Sequence, residues 1–156
     1  MAIATKLNTY LNANGIPFEL VSHPRTGSSQ ESAEEAHVPG DRLAKAVVVK
    51  THDHYAMVVI PADYHLDLEK VGEEIHNIVG MATEDELSDL FTDCARGAAP
   101  PVGDAYGIQA LWDSHLGREQ EVYFEAGDHE SLIKVSADNF RALMGNAKEG
   151  LFSHHM

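Results

Sequence analysis

The chain has 156 residues, a formal charge of -14 and one cysteine, Cys94. That length suits one domain with a real core and is too short for two. A single thiol excludes an internal disulfide and fits a reducing compartment, and the acidity excludes a protein that holds phosphate backbones on a broad basic face. No apolar run approaches the roughly eighteen residues of a membrane span, and the first residues lack the order of a secretion signal, so a cytoplasmic protein with no membrane partner is expected.

In chain order, Ile3, Leu7, Tyr10 and Leu11 form a helical stripe that Asn14-Gly15 stops. Phe18 to Ser22 alternates apolar and polar, as a half-buried strand does, and ends at His23-Pro24. In the polar stretch from Arg25 to Gln30, Ser28 and Glu31 have capping-box spacing and predict a short helix from about Ser29 to His37, broken by Pro39-Gly40. Asp41 to Pro61, DRLAKAVVVKTHDHYAMVVIP, is two β-branched runs about the polar break His52-Asp53-His54 and predicts a central hairpin. Lys45 stands inside the first run, sharing its side of the pleat with Val47 and Val49, while Ala44, Ala46 and Val48 point the other way. Such a cation either snorkels to the surface along its own methylenes or is aimed into a ligand pocket.

Beyond Pro61, Leu66, Leu68, Val71, Ile75 and Ile78 repeat at helical intervals and close near Gly80, and Thr83 with Glu86 makes a capping box for a helix reaching Phe91. Arg96 to Gly103, RGAAPPVG, fits neither regular element and reads as a rigid loop. Ile108–Trp112, Glu121–Ala126 and Leu132–Val135 read as strands, Ser136 caps a last helix ending near Gly145, and residues 149–156 are expected to fray, with no chemistry assigned to His154-His155. Strands mixed with helices, two of them joined as a hairpin, predict a single α+β domain with a mixed β-sheet. In the loop, two prolines fix φ and the glycines permit close approach, so the amides of Gly97, Ala98, Ala99, Val102 and Gly103 form either a stiff surface turn or a set of aligned donors for a carbonyl oxygen or oxyanion.

Lys45 in AKAVVVK, GAAPPVG about fifty residues later, and FEAGDHESLIKVSADNFRALM near the end together resemble the YbaK/ProX family of aminoacyl-tRNA deacylases, related to the editing domain inserted in bacterial prolyl-tRNA synthetases. The resemblance spans the first helix to about Met144 and implies one editing domain over residues 1–148, built on a mixed, curved sheet flanked by helices. It implies hydrolysis of the ester joining a wrong amino acid to the tRNA 3' end, with no cofactor and no metal, and an aminoacyl-tRNA synthetase as a candidate partner. The family's functional lysine falls on Lys45, its Gly-x-x-x-Pro loop on Gly97 and Pro101, its following glycine on Gly103, and a histidine that some members carry on His129. Lys45, Gly97 and His129 are then the implied catalytic positions, and Ala98, Ala99, Pro100, Pro101 and Gly103 the implied substrate-binding ones.

Such an ester is already activated, so a site that positions water and stabilises an oxyanion suffices, which fits the lack of a Ser/His/Asp set. Selectivity for the acyl group is then mainly by size. The acidity works against tRNA, since only Arg25, Arg42, Lys45, Lys50 and Arg96 lie near these motifs. A family fold turned binding or regulatory module is therefore the main alternative, with the polar Ser28–Glu35 stretch a sign of altered specificity. A metal hydrolase built on His52, His54, His65 and His76 lacks a His-Glu-x-x-His pair, and a hydrolase using Cys94 lacks any local feature that would activate the thiol.

Overall fold

The computed structural model describes residues 3–24, 36, 38–77, 79–95, 97–118 and 120–155. Apart from Ala36, the expected helix from Ser29 to His37 and the Ser28–Glu35 stretch lie outside the described residues, as do Arg25, Ile78 and Arg96. In chain order the elements are α1 (Thr5–Ala13), β1 (Glu19–Ser22), β2 (Leu43–Lys50), β3 (Tyr55–Pro61), β4 (Tyr64–Leu66), α2 (Leu68–Ile75), β5 (Gly80–Met81), α3 (Glu84–Leu90), α4 (Gly103–Tyr106), β6 (Gln109–Asp113), β7 (Glu121–Glu125), β8 (Ser131–Ser136), α5 (Ala137–Met144), β9 (Lys148–Gly150) and β10 (Ser153–His155).

Strands β2 and β3 form the expected hairpin, in register from Ala44 opposite Pro61 to Lys50 opposite Tyr55. They lie in the middle of an eight-stranded mixed sheet ordered β1-β8-β7-β2-β3-β6-β9, with β5 also paired to β2. The joins β2–β7, β3–β6 and β6–β9 are parallel and the others antiparallel, so the expected single α+β domain is what forms. Burial on both faces explains why β3 reads as a continuous apolar run. Met57 and Val59 join one core with Leu7, Leu11, Trp112, Phe124 and Phe140, while Ala56, Val58 and Ile60 join a second with Val49, Val71 and Phe152. Helices α1 and α5 supply Leu7, Leu11, Phe140 and Leu143 to the first core, where the Trp112 and Phe140 rings meet edge-on at 5.8 Å.

The tail departs from expectation. Residues 149–156 were expected to fray, but Lys148–Gly150 pairs in parallel with β6 and Ser153–His155 pairs with β4, placing His154 opposite His65. The physical reason is Phe152, which is buried in the second core, and Asp113, which is fully buried beneath it. The Asp113 carboxylate accepts from the backbone N–H groups of Phe152 and His115, both at 2.9 Å, and from Ser153 Oγ at 2.7 Å, and it also meets the His115 ring. Burial alone raises a carboxyl pKa, yet these donors hold Asp113 below its ordinary value. No apolar stripe marks this segment, so patterning alone does not reveal it.

Helix α3 begins with the expected capping box, the Thr83 hydroxyl accepting from Glu86 N at 3.2 Å and Glu86 accepting from Thr83 N at 2.9 Å. The same carboxylate also receives the Tyr55 hydroxyl at 2.5 Å and Lys50 Nζ at 3.2 Å, which ties the helix to the far end of the hairpin. The Tyr55 and then the Thr83 hydrogen bonds lower its pKa to about 2. A carboxyl depressed on folding stabilises the protein above its unfolded pKa, and that contribution is lost as pH falls through the folded one. Glu86→Gln should therefore melt below the parent at pH 7, with the difference closing between about pH 4.5 and about pH 2. A difference independent of pH in thermal melts would show that the charge is not what anchors α3.

Candidate active site at a split in the sheet

Strand β2 is paired with β3 from Ala44 to Lys50, but on its other edge only at its two ends. Leu43 and Ala44 pair with Tyr123 and Phe124 of β7, whereas Val49 and Lys50 pair with Met81 and Gly80 of β5. Between those ends, positions 45–47 face no strand among the described residues, and the sheet is split there. The chain after α3 crosses this split and is held against the end of β7 by Ala95 N donating to Gly127 O at 2.7 Å.

Here the glycine–proline loop meets the sheet. Gly97 has φ +80, a conformation that side chains rarely adopt. Gly97 and Ala99 line a cavity of about 240 Å³ together with Ala46 and Val48 of β2 and Leu87 and Phe91 of the α3 region. Of the expected donors, the amide of Ala98 is engaged by Ala95 O at 3.1 Å, which leaves those of Gly97 and Ala99 as the ones the loop can offer the cavity. Ala98, Pro100, Pro101, Val102 and Gly103 are buried and do not line it. Gly103 is packed so closely that a Cβ there would lie 2.5 Å from Ile108 O, so its glycine is explained by packing alone.

A cavity shared by Lys45 and this loop was the expectation, and the geometry differs. Lys45 does not line the cavity. Strand alternation sends its side chain to the opposite face of β2, and Nζ donates to Ala62 O at 3.2 Å. Burial lowers the pKa of this half-buried amine, and the nearby Asp63 charge offsets part of that fall. Lys45 and the loop thus flank the same split from its two sides. The third implied position, His129, has φ +58 in the turn between β7 and β8, and its ring is buried with Nδ1 3.5 Å from the buried Glu125 carboxylate. That turn is the one gripping Ala95, and it is braced by Asp128 Oδ1, which accepts from Glu130 N and Ser131 N, both at 2.9 Å.

Residues 23–143 match the family described as the aminoacyl-tRNA editing domain. The chain belongs to that family. No curated protein matches the sequence. Among solved structures, the crystal structure of the hypothetical protein APE2540 superposes with a TM-score of 0.84 at 24% identity, covering 96% of this chain and 99% of that one. A candidate trans-editing enzyme for prolyl tRNA synthetase superposes with a TM-score of 0.84 at 23% identity, covering 97% and 96%. These likenesses establish a shared fold from end to end.

In this editing domain the alternative chemistries find little footing. Burial pushes the Cys94 thiol up to about 12, and Sγ lies 3.3 Å from both Asp93 Oδ1 and the Tyr106 hydroxyl, so at neutral pH it is a thiol rather than a nucleophilic thiolate. His54 leans on Asp53 and Thr51 in the hairpin turn, His76 ends α2, and His65 faces His154, so the proposed histidines are dispersed. Among the described residues no three His, Cys, Asp or Glu side chains are grouped to hold a metal ion, and no helix is long and apolar enough to cross a membrane. The candidate site also contains residues that sequence reasoning passed over: Ala46, Val48, Leu87 and Phe91 in the cavity wall, and Glu125 beside His129. The one available signal was Glu125 itself, an acid inside the apolar run EVYFEA.

Proposed function

We propose that this editing domain is a trans-acting deacylase that hydrolyses the ester of a mischarged aminoacyl-tRNA. The observation that carries the reading is the glycine–proline loop lining a cavity with the central strand β2 where the sheet is split beside it. In this reaction a water oxygen adds to the ester carbon and the carbonyl π pair moves onto oxygen, where the Gly97 and Ala99 amides stabilise it. Collapse breaks the bond to the ribose oxygen, which takes up the proton that water has lost. The cavity admits the acyl side chain and sets its size. Lys45 approaches from the other face and holds the anionic 3' end, and His129 with Glu125 acts as a positioning pair that keeps the turn, and through Ala95 the loop, in place. The charge of -14 favours delivery of the tRNA by a partner such as a synthetase over capture by the protein's own field.

The test is deacylation of a panel of mischarged tRNAs by the parent and by Lys45→Met. The variant keeps the aliphatic stem, so its melting temperature should hold or rise, because burial already disfavours the half-buried ammonium. Its kcat/KM should fall about 10- to 100-fold, mostly through KM, as expected for losing one charge-assisted contact. A fully active variant would remove the lysine from the mechanism. Hydrolysis of no ester, with specific retention of a protein partner, would favour the binding module instead.

A further inference from the structure

The split in the sheet offers more than a place for the loop. Val48 O accepts from Ala82 N at 3.1 Å, so the backbone groups of Val48 point to the edge away from β3. Backbone direction alternates along a strand, so the N–H and C=O of Ala46, two residues earlier, point to that same edge. At Ala46 that edge meets neither β7 nor β5, whose pairings stop at Ala44 and begin again at Val49. Ala46 also lines the cavity, with Gly97 and Ala99. Among the described residues, a donor and an acceptor on one residue therefore face a gap in a sheet, beside the cavity.

We propose that the aminoacyl group of the substrate fills this gap as a one-residue strand: its α-ammonium donates to Ala46 O and its acyl carbonyl accepts from Ala46 N–H. This rests on the deacylase reading and specifies what the site recognises in every substrate. The pairing is the two-bond unit of an antiparallel ladder, the way an extended peptide adds to an open sheet edge. It places the acyl oxygen between Ala46 N–H on one side and the loop amides on the other, so the oxyanion receives donors from both walls. It also fixes handedness. Residues directly opposite in a sheet send their side chains to the same face, so an L-aminoacyl side chain enters the cavity beside the Ala46 methyl, and a D side chain is sent to the face that holds Lys45. Recognition of the common α-amino acyl unit is then carried by backbone that no side-chain substitution but proline can erase, and the cavity alone decides which side chain is accepted.

The probe is 3'-deoxy-3'-(L-alanylamino)adenosine, whose amide replaces the ester so that binding is read without turnover. Two comparison compounds are its D-alanyl epimer and the L-lactyl analogue, in which a hydroxyl stands where the ammonium was. By calorimetry with the full chain, each should bind at least about 10-fold more weakly than the L-alanyl probe, the loss expected for a bond to a charged donor. Equal affinities would overturn the proposal. A second measurement replaces Ala46 by its α-hydroxy counterpart, lactic acid, which removes the N–H and leaves the Lys45 carbonyl as an ester, a weaker acceptor toward β3. The melting temperature should fall less than for the same exchange at Val47, whose N–H faces β3, because the Ala46 N–H meets no strand among the described residues, while affinity for the probe falls about 10-fold. A melting temperature lowered as far as by the Val47 exchange, with full affinity, would mean the N–H is used within the fold. Selective binding with no turnover of any ester would fault the deacylase reading alone, and turnover with indifferent binding would fault this inference alone.

Discussion

Gly97→Val is expected to lower kcat/KM on a mischarged tRNA by about 100-fold or more. Two physical effects act together. At φ +80 a β-branched residue is strained, so the peptide planes on either side of position 97 rotate and their N–H groups leave the cavity. The added isopropyl group also takes up room beside the cavity that Gly97 lines with Ala46 and Val48, where the acyl group is proposed to lie. Gly97→Ala separates the two, since it keeps much of the strain but little of the bulk, and should retain more activity on the smallest acyl group than on larger ones. Single-turnover deacylation with both variants is the measurement. Unchanged turnover by the valine variant would place the chemistry elsewhere on the molecule.

Asp113→Ala is expected to cost about 3 kcal/mol of stability, or a melting temperature lower by about 10 °C for a chain of this size. The carboxylate is fully buried and receives Phe152 N, Ser153 Oγ and His115 N, so removing it strands several donors at once. Its pKa is depressed on folding, so its contribution is complete above the ordinary carboxyl range and fades as pH falls through the folded value. The parent should therefore lose the ordered tail in acid before the rest of the sheet, and hydrogen exchange at Phe152 and Ser153 should speed up first. Protection at those amides that survives in the variant would mean the tail is held by Phe152 packing alone.

The fold was largely legible because its main elements carry local signals. The β2–β3 hairpin, the Thr83–Glu86 box and the Ser136 cap all follow from residues near one another in sequence, and all three form. The tail strands were not legible, since Lys148–Gly150 and Ser153–His155 owe their pairing to a buried acid some forty residues earlier. At the site, the need for a glycine at position 97 could be anticipated from the loop's composition, and the family resemblance named Lys45. Their placement on opposite faces was already implicit in the alternation that grouped Lys45 with Val47 and set Ala46 with Val48. What patterning could not convey is that β2 loses its neighbour in mid-strand, because the register of β7 and β5 against it depends on chain segments dozens of residues away.

That interruption has a consequence for how the protein can change over generations. Neighbouring codons in β2 answer to different demands, one for a cation and the next for a small wall residue, so inserting or deleting a single codon would exchange the two and ruin both. Swapping Ala46 for glycine, serine or threonine leaves the main chain in place and only resizes or moistens the chamber. On the deacylase reading, drift toward a new amino acid is therefore easiest at this one position, and diversity there among relatives would record shifts in diet rather than loss of activity.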